Sequence, residues 1–295
     1  MVDIAVQMAA ILGGACACLG LLSLTLTRSG AGSWLPTAHA SKRAFEEFCL
    51  AYTAVWIFLF GGIVVTQAYE WFDERHYMVV CVGLSLPFLL QPLVWPGASR
   101  EAGVPLLQRY SFRANVWIAI FSFIGNYWYT HYFYNVLKAS YLFPSWRLND
   151  VPLALYFATH FYFCTYFTFS NLLLRKVETR YRAGPARTIF FWAVVVVFSY
   201  FTAFMETLTI SSFPYYTFQD RNMAYALGSM YYGLYFIVAF PVFKRIDEGV
   251  ERHALFRVVF DALGSGMFVL ILLDVVRLWL GERLAIDGKL WYLYR

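Results

Sequence analysis

The side chains with chemistry to offer in this chain stand where chemistry is costly to keep. From Gly125 to His160, in GNYWYTHYFYNVLKASYLFPSWRLNDVPLALYFATH, one apolar segment ends, a short polar loop turns, and another apolar segment begins. His131 and His160, two of the five histidines, lie in or at the edge of those segments. Glu206 interrupts a later apolar run, Glu70 closes an earlier one, and Asp220 follows the FPYY of Phe213 to Tyr216. Ionisable groups at membrane depth are expensive, which makes them functional suspects by default. Carboxyls, imidazoles and phenols among many aromatic faces are the parts of an acid/base site that takes an apolar substrate through a cationic intermediate. Aromatic faces attract cations, and a carboxyl in an apolar helix is readily kept protonated.

Other chemistries are excluded by what the sequence lacks. It has no H-x-x-x-H or H-x-x-H-H series, and two intramembrane histidines are too few for a di-iron centre. It has no glycine-rich dinucleotide fingerprint, P-loop or G-x-S-x-G elbow either. No metal and no cofactor is expected.

The elements that must position these groups are transmembrane helices. Of the 295 residues, 60% are apolar and only 14% charged, far from the balance of a soluble protein. The fold class is an all-α polytopic membrane bundle of about eight spans, near residues 4–26, 48–68, 77–95, 112–137, 151–174, 188–210, 223–243 and 257–280. Pro87 and Pro92 predict a kink in the third span, tolerable where neighbouring helices satisfy the backbone. Asp3, in place of a basic n-region, argues against a cleaved signal peptide. Aromatic residues make up 21%, more than interfacial belts need, so some should line a cavity. The net charge of +5 resides mainly in connecting loops, which speaks against nucleic-acid binding. The five cysteines show no disulfide or metal spacing and read as small buried residues.

Lys and Arg crowd the odd-numbered loops, most of all at Arg175, Lys176, Arg180, Arg182 and Arg187. Loop bias sets orientation, so those loops should be cytoplasmic and both termini should lie on the other face. His131, His160, Glu206, Glu70 and the pair Asp274 and Arg277 then collect in the non-cytoplasmic half. FPSW (Phe143 to Trp146) and FPYY are loops on that face and plausible lids.

A set of ordered clusters carries a resemblance: Ser41-Lys42-Arg43, Tyr52-Thr53, Tyr69-Glu70, Arg109-Tyr110, Ala114-Asn115, GNY at 125–127, THYF at 130–133, ASY at 139–141, FPSW, Thr159-His160, Glu206-Thr207, FPYY with Asp220-Arg221, and DALG with LD..R in the last span. Over about residues 41–281 the chain resembles the cycloeucalenol cycloisomerases, which open the cyclopropane of a plant sterol precursor. Residues 1–40 would be an additional N-terminal span and loop, and 282–295 a tail. The resemblance implies an intramolecular ring opening with no cofactor and no redox change. The strained ring that bridges carbons nine and ten is protonated, a tertiary cation forms at carbon nine, and loss of a proton from carbon eight leaves an 8,9 double bond.

On that basis Glu206 is the first candidate for the acid, with His131 and His160 as groups that orient it, recharge it or take the proton from carbon eight. Glu70 and Asp220 stand in reserve. Tyr127, Trp128, Trp146 and Tyr215 are candidates for the wall around the cation, and Asn126 for the partner of the substrate hydroxyl. Structural readings stand beside these: His131 satisfied by loop carbonyls, Glu206 bridged to Arg221, Asp274 paired with Arg277. Partners are expected to be a sterol arriving from the lipid phase and the surrounding membrane lipids. The membrane would be that of the endoplasmic reticulum in a eukaryote or the inner membrane in a bacterium. Another sterol double-bond isomerase, or a lipid-binding or transport protein, would be the alternatives.

Overall fold

A chain in hydrocarbon must close its backbone hydrogen bonds internally, and this one does so with helices. The computed structural model describes residues 3–211 and 213–284. Its helices are α1 (Ile4–Thr25), α2 (Ala40–Val65), α3 (Glu74–Val94), α4 (Tyr110–Ile124), α5 (Thr130–Leu137), α6 (Leu153–Arg180), α7 (Pro185–Ser211), the single turn α8 (Arg221–Met223), α9 (Ser229–Lys244) and α10 (Leu255–Leu284). Most of the expected tail over 282–295 lies outside the described residues. The helix α3 runs unbroken through Pro87 and Pro92. Asp73 starts it, accepting from the backbone N–H of Arg75 and His76 at 3.0 and 2.9 Å.

Among the described residues, six helical segments are long and apolar enough to cross a membrane: Ile4–Thr25, Ala40–Val65, Glu74–Val94, Pro185–Ile210, Arg221–Lys244 and Leu255–Trp279. The expected fourth and fifth spans are not among them. Residues 110–137, in which the π-helical turn Gly125–Tyr129 joins α4 to α5, have their apolar run diluted by Arg113, Asn115, Asn126, His131 and several tyrosines. The helix α6 is long but carries His160, Thr165, Thr168, Ser170, Asn171 and Arg175, all buried. It packs against α2, α3, α4, α7 and α9, so its side chains answer to protein neighbours rather than to lipid.

The outer surface is correspondingly apolar. Phe58 is 80% exposed and Val65 83% exposed on α2, while Trp71, Trp95 and Trp279 stand out at or near helix ends, as interfacial aromatics do. The helix α1 is the least embedded, with Leu12 its one buried residue among those described, and it leans mainly on α7. All five cysteines are free; Cys16 and Cys18 on α1 are exposed, while Cys49, Cys81 and Cys164 are buried.

The end of the bundle that carries the basic loops is held by buried charge. Arg175, at the foot of α6, places two N–H groups on Glu46 of α2 at 2.9 Å each, and binds Glu248 through Nε and Nη2 at 2.6 and 2.9 Å. Lys42 Nζ lies 2.8 Å from the same Glu248 and donates to the carbonyls of Lys244 and Ile246, the chain leaving α9. Arg113 pairs with Asp247 and Lys244 with Glu178 beside this cluster. Sequence reading assigns Lys42, Arg175 and Lys244 to solvated loops; the fold instead buries all three.

Two short ladders close the opposite end. β1 (Ser140–Tyr141) pairs antiparallel with β4 (Tyr216–Thr217), and β2 (Arg147–Leu148) with β3 (Val151–Pro152). Asn149 and Asp150 form the two-residue turn of the second hairpin, both in the left-handed region at φ 53° and 60°, which suits a hairpin of this length. The FPSW and FPYY segments, far apart in sequence, are thus brought together by β1 and β4, with Leu142 N–H bonded to the Tyr215 carbonyl at 2.8 Å.

Glu248 supplies a test of the charged end. Burial by itself would raise its carboxyl, but the hydrogen bonds from Arg175 and the charge of Lys42 outweigh that and hold it at about 2. The unfolded value is about 4.3. A depressed carboxyl stabilises the fold fully above the unfolded value and loses that contribution as pH falls toward the folded one. Thermal unfolding in detergent should therefore show the wild type losing stability between about pH 4.3 and about pH 2, with Glu248→Gln less stable at pH 7 and flatter across that window. Arg175→Met, which strands two carboxylates, should cost about 3–5 kcal/mol.

Candidate active site

The cavity under the paired loops is built from four helices and two irregular turns. Glu206 comes from α7, one turn and a half before the helix ends, and α9 packs along α7 more extensively than any other pair of elements. That packing sets Tyr232 of α9 against it: the Tyr232 hydroxyl donates to Glu206 Oε2 at 2.7 Å. Tyr166 of α6 interacts with the same carboxyl as a second phenol. No ion pair from Glu206 to Arg221 or any other cation is found among the described residues, so the carboxyl is held by neutral donors. Arg221 is exposed.

The cavity encloses about 120 Å³ and is walled by Glu206 and Thr207, by Asn126, Thr130, Tyr132 and Phe133, by Thr159 and Phe163, by Tyr231, Tyr232 and Tyr235, and by the loop residues Tyr141 and Tyr216. Both π-helical turns of the described chain, Gly125–Tyr129 and Ala224–Gly228, contribute to it. An extra residue in a helical turn re-aims the side chains around it, and such turns are frequent at functional sites. Gly228, just before α9, lets Leu137 of the opposite wall approach closely: a Cβ there would sit 2.9 Å from Leu137 Cδ1, and the leucine would have to shift.

Asn126 is fixed by donating to the Ser122 carbonyl at 2.9 Å and to Thr159 Oγ1 at 3.0 Å, which ties the first π turn to α6. Its amide oxygen has only a 3.4 Å contact from Thr159, whose hydroxyl is directed to the Leu155 carbonyl at 2.8 Å. Tyr129 bonds the Gly266 carbonyl at 2.8 Å, and Tyr132 donates to Asp274 at 3.0 Å. Asp274 also pairs with Arg277 at 2.7 Å on the same face of α10. Aromatic rings meet around the space: Tyr129 and Tyr235 at 4.5 Å, Tyr232 and Tyr235 at 4.9 Å, Tyr141 and Tyr216 at 4.8 Å.

Of the residues singled out in the sequence, Glu206 and Asn126 line this cavity. The other candidate site residues do not line it. His160 is buried between α6 and α4, its Nε2 2.9 Å from Asn115 Oδ1. His131 reaches the Asn149 carbonyl at 3.1 Å, in the hairpin turn. Glu70 is exposed after α2, and Asp220 is exposed where it caps α8 through the Asn222 N–H at 2.8 Å. Tyr127 stacks on Phe123, and Trp128 and Trp146 are about half exposed. Tyr215 packs on Phe213 in the paired loops. The tyrosines that do form the wall were not anticipated, although Tyr231, Tyr232 and Tyr235 share a face at helical spacing. Among the described residues no group of three or more His, Cys, Asp or Glu is placed to hold a metal ion.

Comparison with known proteins places the chain. It is 42% identical over 252 residues to the cycloeucalenol cycloisomerase of Arabidopsis thaliana, spanning 84% of this chain and 89% of that protein. The chain belongs to the cycloeucalenol cycloisomerase family. No family model matches, and neither does any solved structure. As a cycloisomerase of this family it is an isomerase, and among the described residues its cavity is lined by one carboxyl and several phenols.

The Tyr232 hydroxyl can be tested directly. Tyr232→Phe should leave Glu206 with one donor fewer and lower turnover about tenfold, for the ~1–1.5 kcal/mol of a neutral hydrogen bond, with helical content unchanged by circular dichroism. Tyr225→Phe, outside the cavity wall, should have turnover within twofold of wild type.

Proposed function

We propose that this cycloisomerase opens the 9,19-cyclopropane of a sterol of the cycloeucalenol type, and that Glu206 is its acid. The observation that carries the reading is that Glu206 is the one carboxyl lining the cavity among the described residues. Its proton goes to the bridging methylene while the bond from that carbon to carbon nine breaks, so the bridge becomes the angular methyl on carbon ten. The positive charge that develops at carbon nine lies among phenol faces, which attract cations. Loss of the proton from carbon eight leaves its bonding pair as the 8,9 double bond. The carboxylate produced in the first step is then the strongest base facing the cavity. It takes that proton, and the acid is restored with no net change in atoms or electrons.

Tyr166 and Tyr232 position the carboxyl in this scheme. Asn126 Oδ1, which has only a long contact from Thr159, accepts from the sterol hydroxyl in this scheme. His160, through Asn115, and His131, through the Asn149 turn, support the helices that frame the site. Pockets that bury a drug-sized ligand run to several hundred Å³, and about 120 Å³ is too little for a tetracycle. Substrate entry from the lipid phase therefore requires the paired loops that carry Tyr141 and Tyr216 to move aside.

The same reading takes the chain across the membrane eight times, with residues 110–137 and α6 as crossings sheltered by the other helices. Both termini lie on the non-cytoplasmic side. The membrane is that of the endoplasmic reticulum in a eukaryote or the inner membrane in a bacterium, and no nucleic acid is involved.

The experiment is incubation of membranes containing the protein with cycloeucalenol in deuterium oxide, followed by mass spectrometry of the sterols. Product carrying one deuterium in the new angular methyl is expected. Glu206→Gln should keep sterol binding and lose about 10²–10⁴-fold in turnover, the range supplied by a positioned general acid. Turnover retained by Glu206→Gln removes it as the acid, and no conversion by the wild type removes the reaction.

A further inference from the structure

A second cavity lies away from the acid. It is a crevice of about 370 Å³ between α1, α6 and α7, walled by Leu19, Leu173, Val177, Val194, Phe198 and Phe201, with Gly20 on its α1 side. Ser23, Lys176 and Arg180 stand at its mouth. Along α7 the wall runs from Phe190 to Phe201, roughly 16 Å at 1.5 Å per residue. That is about half of a ~30 Å hydrocarbon core, the depth of one leaflet. A crevice of this kind inside a bilayer takes up acyl chain, and the charge at its mouth decides which headgroup comes with the chain.

That charge is strongly positive. The backbone at Arg28 pairs antiparallel with Tyr181, through Ser29 N–H to the Arg180 carbonyl at 2.8 Å and Arg182 N–H to the Thr27 carbonyl at 2.9 Å. This short strap brings Arg28 and Arg182, through the chain pairing, next to Arg180 and Tyr181, both of which line the crevice. None of their guanidinium groups has a hydrogen bond or ion pair among the described residues. Glu178, the nearest acid in sequence, is engaged by Lys244. Lys176 is committed to the carbonyls of Ala31 and Gly32 at 2.8 and 3.0 Å, which secures the loop without supplying an anion. Guanidinium groups bind phosphate through paired N–H donors, and basic pockets between membrane helices select anionic headgroups.

We propose that this crevice is a binding site for one anionic phospholipid, its acyl chain against α7 and its phosphate on Arg28, Arg180 and Arg182. The extra helix α1 supplies the third wall, so the site depends on a segment that takes no part in the cavity around Glu206.

The test is native mass spectrometry of the delipidated full-length protein in detergent, titrated with dioleoyl phosphatidylglycerol or dioleoyl phosphatidylcholine. Phosphatidylglycerol should bind at one site about tenfold or more tighter. The combined variant R28Q/R180Q/R182Q should bring it down to the level of phosphatidylcholine. Gly20→Phe should abolish retention of both; a Cβ at Gly20 has nothing within 4 Å, so the ring can occupy the crevice without straining the fold. Glycerol 3-phosphate should not compete. Equal binding of the two lipids, anionic lipid retained by the triple variant or by Gly20→Phe, or competition by glycerol 3-phosphate would each overturn the proposal. Size-exclusion elution at the wild-type position establishes that the variants are folded.

Discussion

Arg175 is the side chain on which the arrangement of helices rests. Taking a guanidinium and two carboxylates out of water is costly, and the cost is offset only when geometry and hydrogen bonding are close to complete. Here Glu46 and Glu248 receive four N–H groups from one arginine, and Lys42 completes the charge balance. The cluster joins α2, α6 and the exit of α9, so it fixes both the depth and the rotation of α6. Everything α6 carries toward the other end of the bundle follows from that: Tyr166 beside Glu206, His160 on Asn115, Thr159 on Asn126.

The two ends of the bundle use polarity differently. One end buries opposite charges against each other and is rigid because each charge would be stranded without its partner. The other holds Glu206 with phenols, with no cation paired to it among the described residues. Glu206 is thus met by phenol donors, whereas Glu46 and Glu248, which hold helices together, are met by arginine. The loops reflect the same division, since β1 and β4 join by a few backbone bonds and little charge.

Hydropathy in the sequence was sufficient to find the helices that face lipid, and it placed Glu206 and the two aromatic loops at the same end. It was a poor guide to the interior. The helix α6 is central yet polar, so its composition carries the imprint of neighbouring helices that no single-segment pattern contains. Arg175 and Lys42 look like loop charges because their partners lie far away in sequence, at Glu46 and Glu248. His131 and Asp220 drew attention by residue type, but their bonds are local, to a hairpin turn and a helix start. The tyrosine wall was hidden by abundance: among 22 tyrosines, the helical spacing of Tyr231, Tyr232 and Tyr235 does not by itself say which cavity they face.

The small volume around Glu206 also bears on the fidelity of the chemistry. A tertiary carbocation is captured by any water molecule that can reach it, and the outcome would be an alcohol at carbon nine rather than an alkene. In the proposed reaction, the largely aromatic walls of the roughly 120 Å³ space beside Glu206 would have to close on the bound tetracycle to keep bulk water from the cation. On that proposal, the return of the loops carrying Tyr141 and Tyr216 over the substrate is what would keep hydration from diverting the product.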